Sequence, residues 1–70
     1  MRTLVINGEE RVFAESQMPA TLSELLSGMK VNEATVVAEI NGSIIDRKSF
    51  SQTRLSNGQK IELIRFVGGG

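Results

Sequence analysis

The chain has 70 residues, eight Lys plus Arg against eight Asp plus Glu, and no Cys, His, Trp or Tyr. That length supports one small domain burying only about 60% of its unfolded surface, and the lack of Cys and His removes zinc, thiol, iron–sulfur, haem and imidazole chemistry. Zero formal charge, no run near the roughly eighteen apolar residues of a membrane span and an opening Met1-Arg2-Thr3 already in strand pattern argue against nucleic acid, membrane and signal peptide, so the cytoplasm is expected.

Three Asn-Gly pairs divide the chain: Asn7-Gly8, Asn41-Gly42 and Asn57-Gly58. Both residue types tolerate positive φ, which the tight turn between twisted antiparallel strands requires. The first pair separates Thr3–Ile6 from Glu10–Phe13 and predicts a hairpin. The second separates Thr35–Ile40 from Ser43–Ile45 and predicts another, with a short return strand. The third precedes a long last strand, Lys60–Val67, whose segment Ile61–Val67 reads as the most apolar in the chain and hence as a buried, rigid base for the residues beyond it.

Between the hairpins the period changes to 3.6, with Leu22, Leu25, Leu26 and Met29 along one stripe. Thr21 and Glu24 form a capping box, Pro19 keeps the approach extended, and Gly28 is the candidate for the positive-φ position at the helix end, with Lys30 beside it. A helix of about two turns cannot persist alone, so it must lie on a sheet. The polar segments 10–13 and 43–45 suit sheet edges, whereas 3–6 and 61–67, apolar on both faces, suit the centre. The expected fold is therefore an α+β roll: a mixed sheet of four to five strands, first and last strands side by side, one helix across one face. Its expected core is Leu4, Ile6, Leu22, Leu25, Leu26, Val36, Ala38, Ile40, Ile61, Leu63 and Phe66. The stretch Asp46–Gln59 reads as a loop or short helical turn anchored by Phe50 and Leu55, and Arg47-Lys48 and Glu9-Glu10 read as solvated charges.

Gly68-Gly69-Gly70 follows the last strand. Three glycines alone are equally consistent with a frayed end or a cloning remnant. A terminus without side chains can also enter a channel closed to other residues, and three extended residues reach on the order of 10 Å. The Gly70 carboxylate is then the candidate reactive group. With an α-carboxyl pKa of about 3.3–3.7 it is an anion and a poor electrophile at neutral pH, so it needs activation, for which transfer to AMP is the usual route. No phosphate-binding loop or dinucleotide fingerprint is present, so a separate enzyme must do this. The chain is expected to be a substrate or carrier and not an enzyme, with no bound cofactor or metal of its own.

The run Val36-Val37-Ala38-Glu39-Ile40-Asn41-Gly42-Ser43-Ile44-Ile45-Asp46-Arg47-Lys48-Ser49-Phe50, then Leu55-Ser56-Asn57-Gly58-Gln59-Lys60-Ile61-Glu62-Leu63-Ile64 and Phe66-Val67-Gly68-Gly69-Gly70, resembles the ThiS family. These are sulfur carriers of thiamin thiazole synthesis with the ubiquitin-like β-grasp fold. The resemblance covers nearly the whole chain, with departures at Asp46, where relatives often have Pro, at Phe50, where Trp or Tyr is common, and at Gln59, where an acidic residue is common. It implies a β-grasp domain at 1–67 and a flexible glycine tail at 68–70. It also implies that a ThiF-like adenylyltransferase uses ATP to join Gly70 to AMP. A persulfide from a cysteine desulfurase relay then leaves a thiocarboxylate, and a ThiG-like thiazole synthase takes the sulfur. Phe66 and Val67 are the candidate partner contacts beside the tail. The alternatives are a carrier for molybdopterin or another pathway, a ubiquitin-like modifier joined to lysines, and a non-covalent binding module such as an RNA-binding domain. The last has neither a basic patch nor a stacking platform to support it.

Overall fold

In the computed structural model, which describes residues 1–65, the chain forms five strands and one α-helix. They are β1 (Arg2–Ile6), β2 (Glu9–Phe13), α1 (Leu22–Gly28), β3 (Val36–Ile40), β4 (Ser43–Ile45) and β5 (Lys60–Arg65), with single 3-10 turns at Glu15–Gln17, Glu33–Thr35 and Arg47–Ser49. The sheet order is β2-β1-β5-β3-β4, so the first and last strands lie at the centre and the two hairpins at the flanks. Among the described residues only the β1–β5 contact is parallel.

Both hairpins turn as their Asn-Gly pairs require, with φ of 50° and 80° at Asn7-Gly8 and 50° and 87° at Asn41-Gly42. Inward positions alternate along each strand and meet the stripe of α1. Leu4, Ile6, Leu22, Leu25, Leu26, Val36, Ala38, Ile40, Ile61 and Leu63 are all buried, as their spacing predicts. Phe66 falls outside the described residues. Among the described residues no polar or charged side chain is buried.

Three sequence expectations need correction. The residue that takes positive φ after α1 is Lys30, at 59°, and not Gly28, which completes the helix. Lys30 N–H donates to Ser27 C=O at 3.0 Å and Val31 N–H to Leu26 C=O at 2.9 Å, the paired bonds of a Schellman end. That motif also places the apolar residue after the turn near the third residue from the helix end, here Val31 and Leu26. An end at Gly28 would have matched Met29 with the polar Glu24.

The second correction concerns Arg47, within Asp46–Gln59; that segment is the anchored loop and short helical turn expected, with its 3-10 turn at Arg47–Ser49, and it docks against the core. Phe50 is only 1% exposed and belongs to the core. The first helical N–H groups, which have no partner within a helix, find theirs here: Leu22 N–H donates to Thr53 C=O at 3.0 Å and Ser23 N–H to Phe50 C=O at 3.2 Å. Thr21 Oγ1 accepts from Glu24 N–H at 3.2 Å as the capping box predicts, although the Glu24 carboxylate reaches back to Ala20 N–H and not to Thr21. Arg47, read as a solvated charge, donates from Nε to Glu33 C=O and from Nη2 to Ala34 C=O, tying this segment to the approach of β3.

Third, β5 is not buried on both faces. Ile61 and Leu63 are buried under α1, but Ile64 is 54% exposed and Glu62 and Arg65 are exposed. Among the described residues no second layer covers the face opposite the helix.

Candidate functional site

The residues singled out for chemistry, Gly68, Gly69 and Gly70, and the flanking contacts Phe66 and Val67, all lie outside the described residues. The structure does describe the strand that leads to them. β5 pairs with β3 through its last residue, with Val36 opposite Arg65 and Val37 opposite Ile64. On its other side β1 pairs at Val5–Lys60 and Ile6–Ile61, and then the chain turns away at Asn7.

Three amide side chains reinforce that junction. Asn7 Oδ1 accepts Leu63 N–H at 2.7 Å where β1 leaves the ladder, and Asn41 Oδ1 accepts Lys60 N–H at 3.0 Å. Asn57 Oδ1 accepts Thr3 N–H at 2.6 Å, so the third Asn-Gly pair ties the approach to β5 onto β1. Gly58, at φ 85°, supplies the conformation that this turn requires and donates to Thr3 C=O at 2.6 Å. The three dipeptides therefore share two jobs: two of them reverse hairpins, and all three supply acceptors to the central strands. The base of the glycine segment is held from both sides despite being covered on only one face.

The open face carries what spacing alone did not single out. The strand registers put Val5, Val12, Val37, Ile44 and Ile64 there, interspersed with Glu10, Glu39, Lys60 and Glu62. Ile44 is 69% exposed, more than any other described large apolar side chain except Met1. The signal was present in Lys60-Ile61-Glu62-Leu63, whose period of two marks a sheet with one wet face. Among the described residues no group of three or more acidic side chains is arranged to hold a metal ion, and no helix is long and apolar enough to cross a membrane.

Comparison with known proteins agrees with this geometry. A family model described as the ThiS family matches residues 4–70. A crystal structure of a thiamine biosynthesis protein (ThiS) from Geobacter metallireducens superposes with a TM-score of 0.79 at 33% identity, covering 97% of this chain and 99% of that one. The "Sulfur carrier protein ThiS" of Bacillus subtilis is 28% identical over 67 residues, covering 96% of this chain and 98% of its own length. A "Thiazole synthase" of Paramagnetospirillum magneticum is 40% identical over 67 residues, and there the chain spans only 20% of the relative's length.

Proposed function

The chain belongs to the ThiS family of small sulfur carriers of thiamin biosynthesis, with their ubiquitin-like β-grasp fold, and from that premise we propose that the Gly70 carboxylate is its reactive group. The observation that carries this reading is the family match running through to residue 70, across Phe66-Val67-Gly68-Gly69-Gly70.

An adenylyltransferase of the ThiF type would first join the carboxylate oxygen to the α-phosphorus of ATP and release pyrophosphate. AMP is a far better leaving group than oxide, so the acyl carbon becomes open to attack. The terminal sulfur of a persulfide, supplied through a cysteine desulfurase, adds there and expels AMP. A partner thiol then cleaves the resulting S–S bond, becoming a disulfide and leaving a thiocarboxylate on Gly70. A thiocarboxylate is nucleophilic through sulfur and stays tethered, so sulfide is never set free. A thiazole synthase of the ThiG type would accept the sulfur, a reading supported by the thiazole synthase relative. The carrier itself binds no cofactor, and the ATP belongs to its partner. Domain 1–67 acts as the body and 68–70 as the arm, with Phe66 and Val67 as contacts beside it, working in the cytoplasm.

Glycine matters at position 69 for a steric reason. A channel that admits a bare backbone excludes a branched side chain, and the left-handed conformations open to Gly are closed to Val. Deleting Gly70, or replacing Gly69 with Val, is expected to leave the far-ultraviolet circular dichroism unchanged while abolishing ATP–pyrophosphate exchange by the activating enzyme. Exchange at the normal rate with either variant would refute the narrow channel through which Gly70 is held to reach the activating site.

A further inference from the structure

The open face of the sheet carries a pair of like charges that form no ion pair among the described residues. Glu39 on β3 and Glu62 on β5 stand directly opposite one another, which sets their Cβ atoms about 4.5–5.5 Å apart. Like charges so placed are destabilising. The ion pairs among the described residues are those of Glu15 with the N-terminus and with Arg2. Lys60, two residues before Glu62, bonds neither carboxylate. Although the whole chain is balanced at eight against eight, the described charged residues of this face are Glu10, Glu39 and Glu62 against Lys60.

Apolar side chains surround the pair. Ile44 lies opposite Glu39 on β4, Val37 lies two residues before Glu39, and Ile64 two residues after Glu62. Ile44 and Ile64 are 69% and 54% exposed. Two carboxylates in that setting do not make a cage for a metal ion. Nor does the face suit a second copy of the chain, which would bring the same acids against them. The complementary surface is a protein surface that is apolar around one cationic side chain.

We infer that this face docks the thiazole synthase, which places an arginine or lysine between Glu39 and Glu62 while Ile44, Val37 and Ile64 cover the apolar surround. The inference rests on the carrier reading above. β5 is both half of the acid pair and the strand that leads to Gly70, so the enzyme that receives the sulfur would grip the face beside the arm. A thiazole synthase relative that includes a segment like this chain favours that occupant. Desolvating the two carboxylates without a cation is costly, so the pair selects against apolar surfaces that lack one. Arginine fits best, since its planar fork can serve both carboxylates.

The test is titration calorimetry of the full chain against the thiazole synthase of its own organism, at about 50 and about 500 mM NaCl, where screening changes most. Glu39→Gln with Glu62→Gln is expected to weaken binding about tenfold or more, and Glu62→Lys further. Added salt should weaken the wild type and leave the double Gln variant nearly unchanged. Thermal unfolding provides the control: relieving the like charges should raise the melting point of the Gln variants or leave it unmoved, and the single variants serve if the double variant does not fold. Equal affinities for wild type and variants at low salt would overturn the inference. So would a loss confined to binding of the adenylyltransferase. The carrier reading is checked separately on the wild type, by the mass gain of one sulfur replacing one oxygen after activation in the presence of a persulfide donor.

Discussion

Asn7 combines two demands in one side chain. Its backbone sits at φ 50°, where most L-residues are strained, and its Oδ1 accepts the N–H of Leu63, 56 positions away. Substitution can separate the two. Asn7→Gly keeps the turn and loses the bond, which should cost about 1 kcal/mol, whereas Asn7→Ala loses both and should cost about 2–3 kcal/mol. Urea unfolding followed by circular dichroism measures the difference. Equal losses would mean that the positive φ costs nothing, and no loss in Asn7→Gly that the side-chain bond contributes nothing. The turn role was legible from the Asn-Gly dipeptide, but the bond was not. Nothing in a local pattern reports that the oxygen meets a strand at the other end of the chain.

Among the elements, α1 shows how a local reading can choose the wrong residue for a sound reason. Glycine favours positive φ, and Gly28 stands near the helix end, but the stop is set by which apolar residue can return to the helix. Val31 returns to Leu26, and Lys30 therefore carries the strained angle. Lys30→Gly should raise stability by about 0.5–1 kcal/mol by relieving it. Unchanged stability in urea would show that Lys30 recovers that energy elsewhere. Strand order was readable because hairpin turns and polar edges are local features. The open face was harder to read, since β5 continues into an apolar stretch that suggested cover on both sides. Glu62 between Ile61 and Leu63 was the residue to weigh, and Ile64 behind it obscured the alternation.

At the scale of the whole molecule, a single core serves a chain of 70 residues. Phe50 joins the segment after β4 to the start of α1 and to the inward side chains of the sheet. Phe50→Ala should cost about 3–5 kcal/mol, a large share of the roughly 5–15 kcal/mol that holds a typical domain. It is expected to leave a substantial unfolded fraction at 37 °C, seen as a melting transition moved tens of degrees lower; a shift of only a few degrees would remove Phe50 from the core's main supports. Phe50 looked like an anchor in a loop because its neighbours are polar and aperiodic. Its burial comes from backbone carbonyls around it serving the helix, a tertiary arrangement that spacing does not encode. The proposed reactive end rests on the sequence alone, since Gly68, Gly69 and Gly70 lie outside the described residues.

The amide oxygens of Asn7, Asn41 and Asn57 also bear on how the molecule ages. Each precedes a glycine, the neighbour whose nitrogen closes most easily onto the asparagine side chain to expel ammonia and form a succinimide ring. In the folded chain each of those amides is already engaged with a distant backbone N–H, and ring closure must first disengage it. Chemical wear at these three places is then paced by how often the central strands let go, so whatever tightens the sheet also lengthens the working life of the carrier.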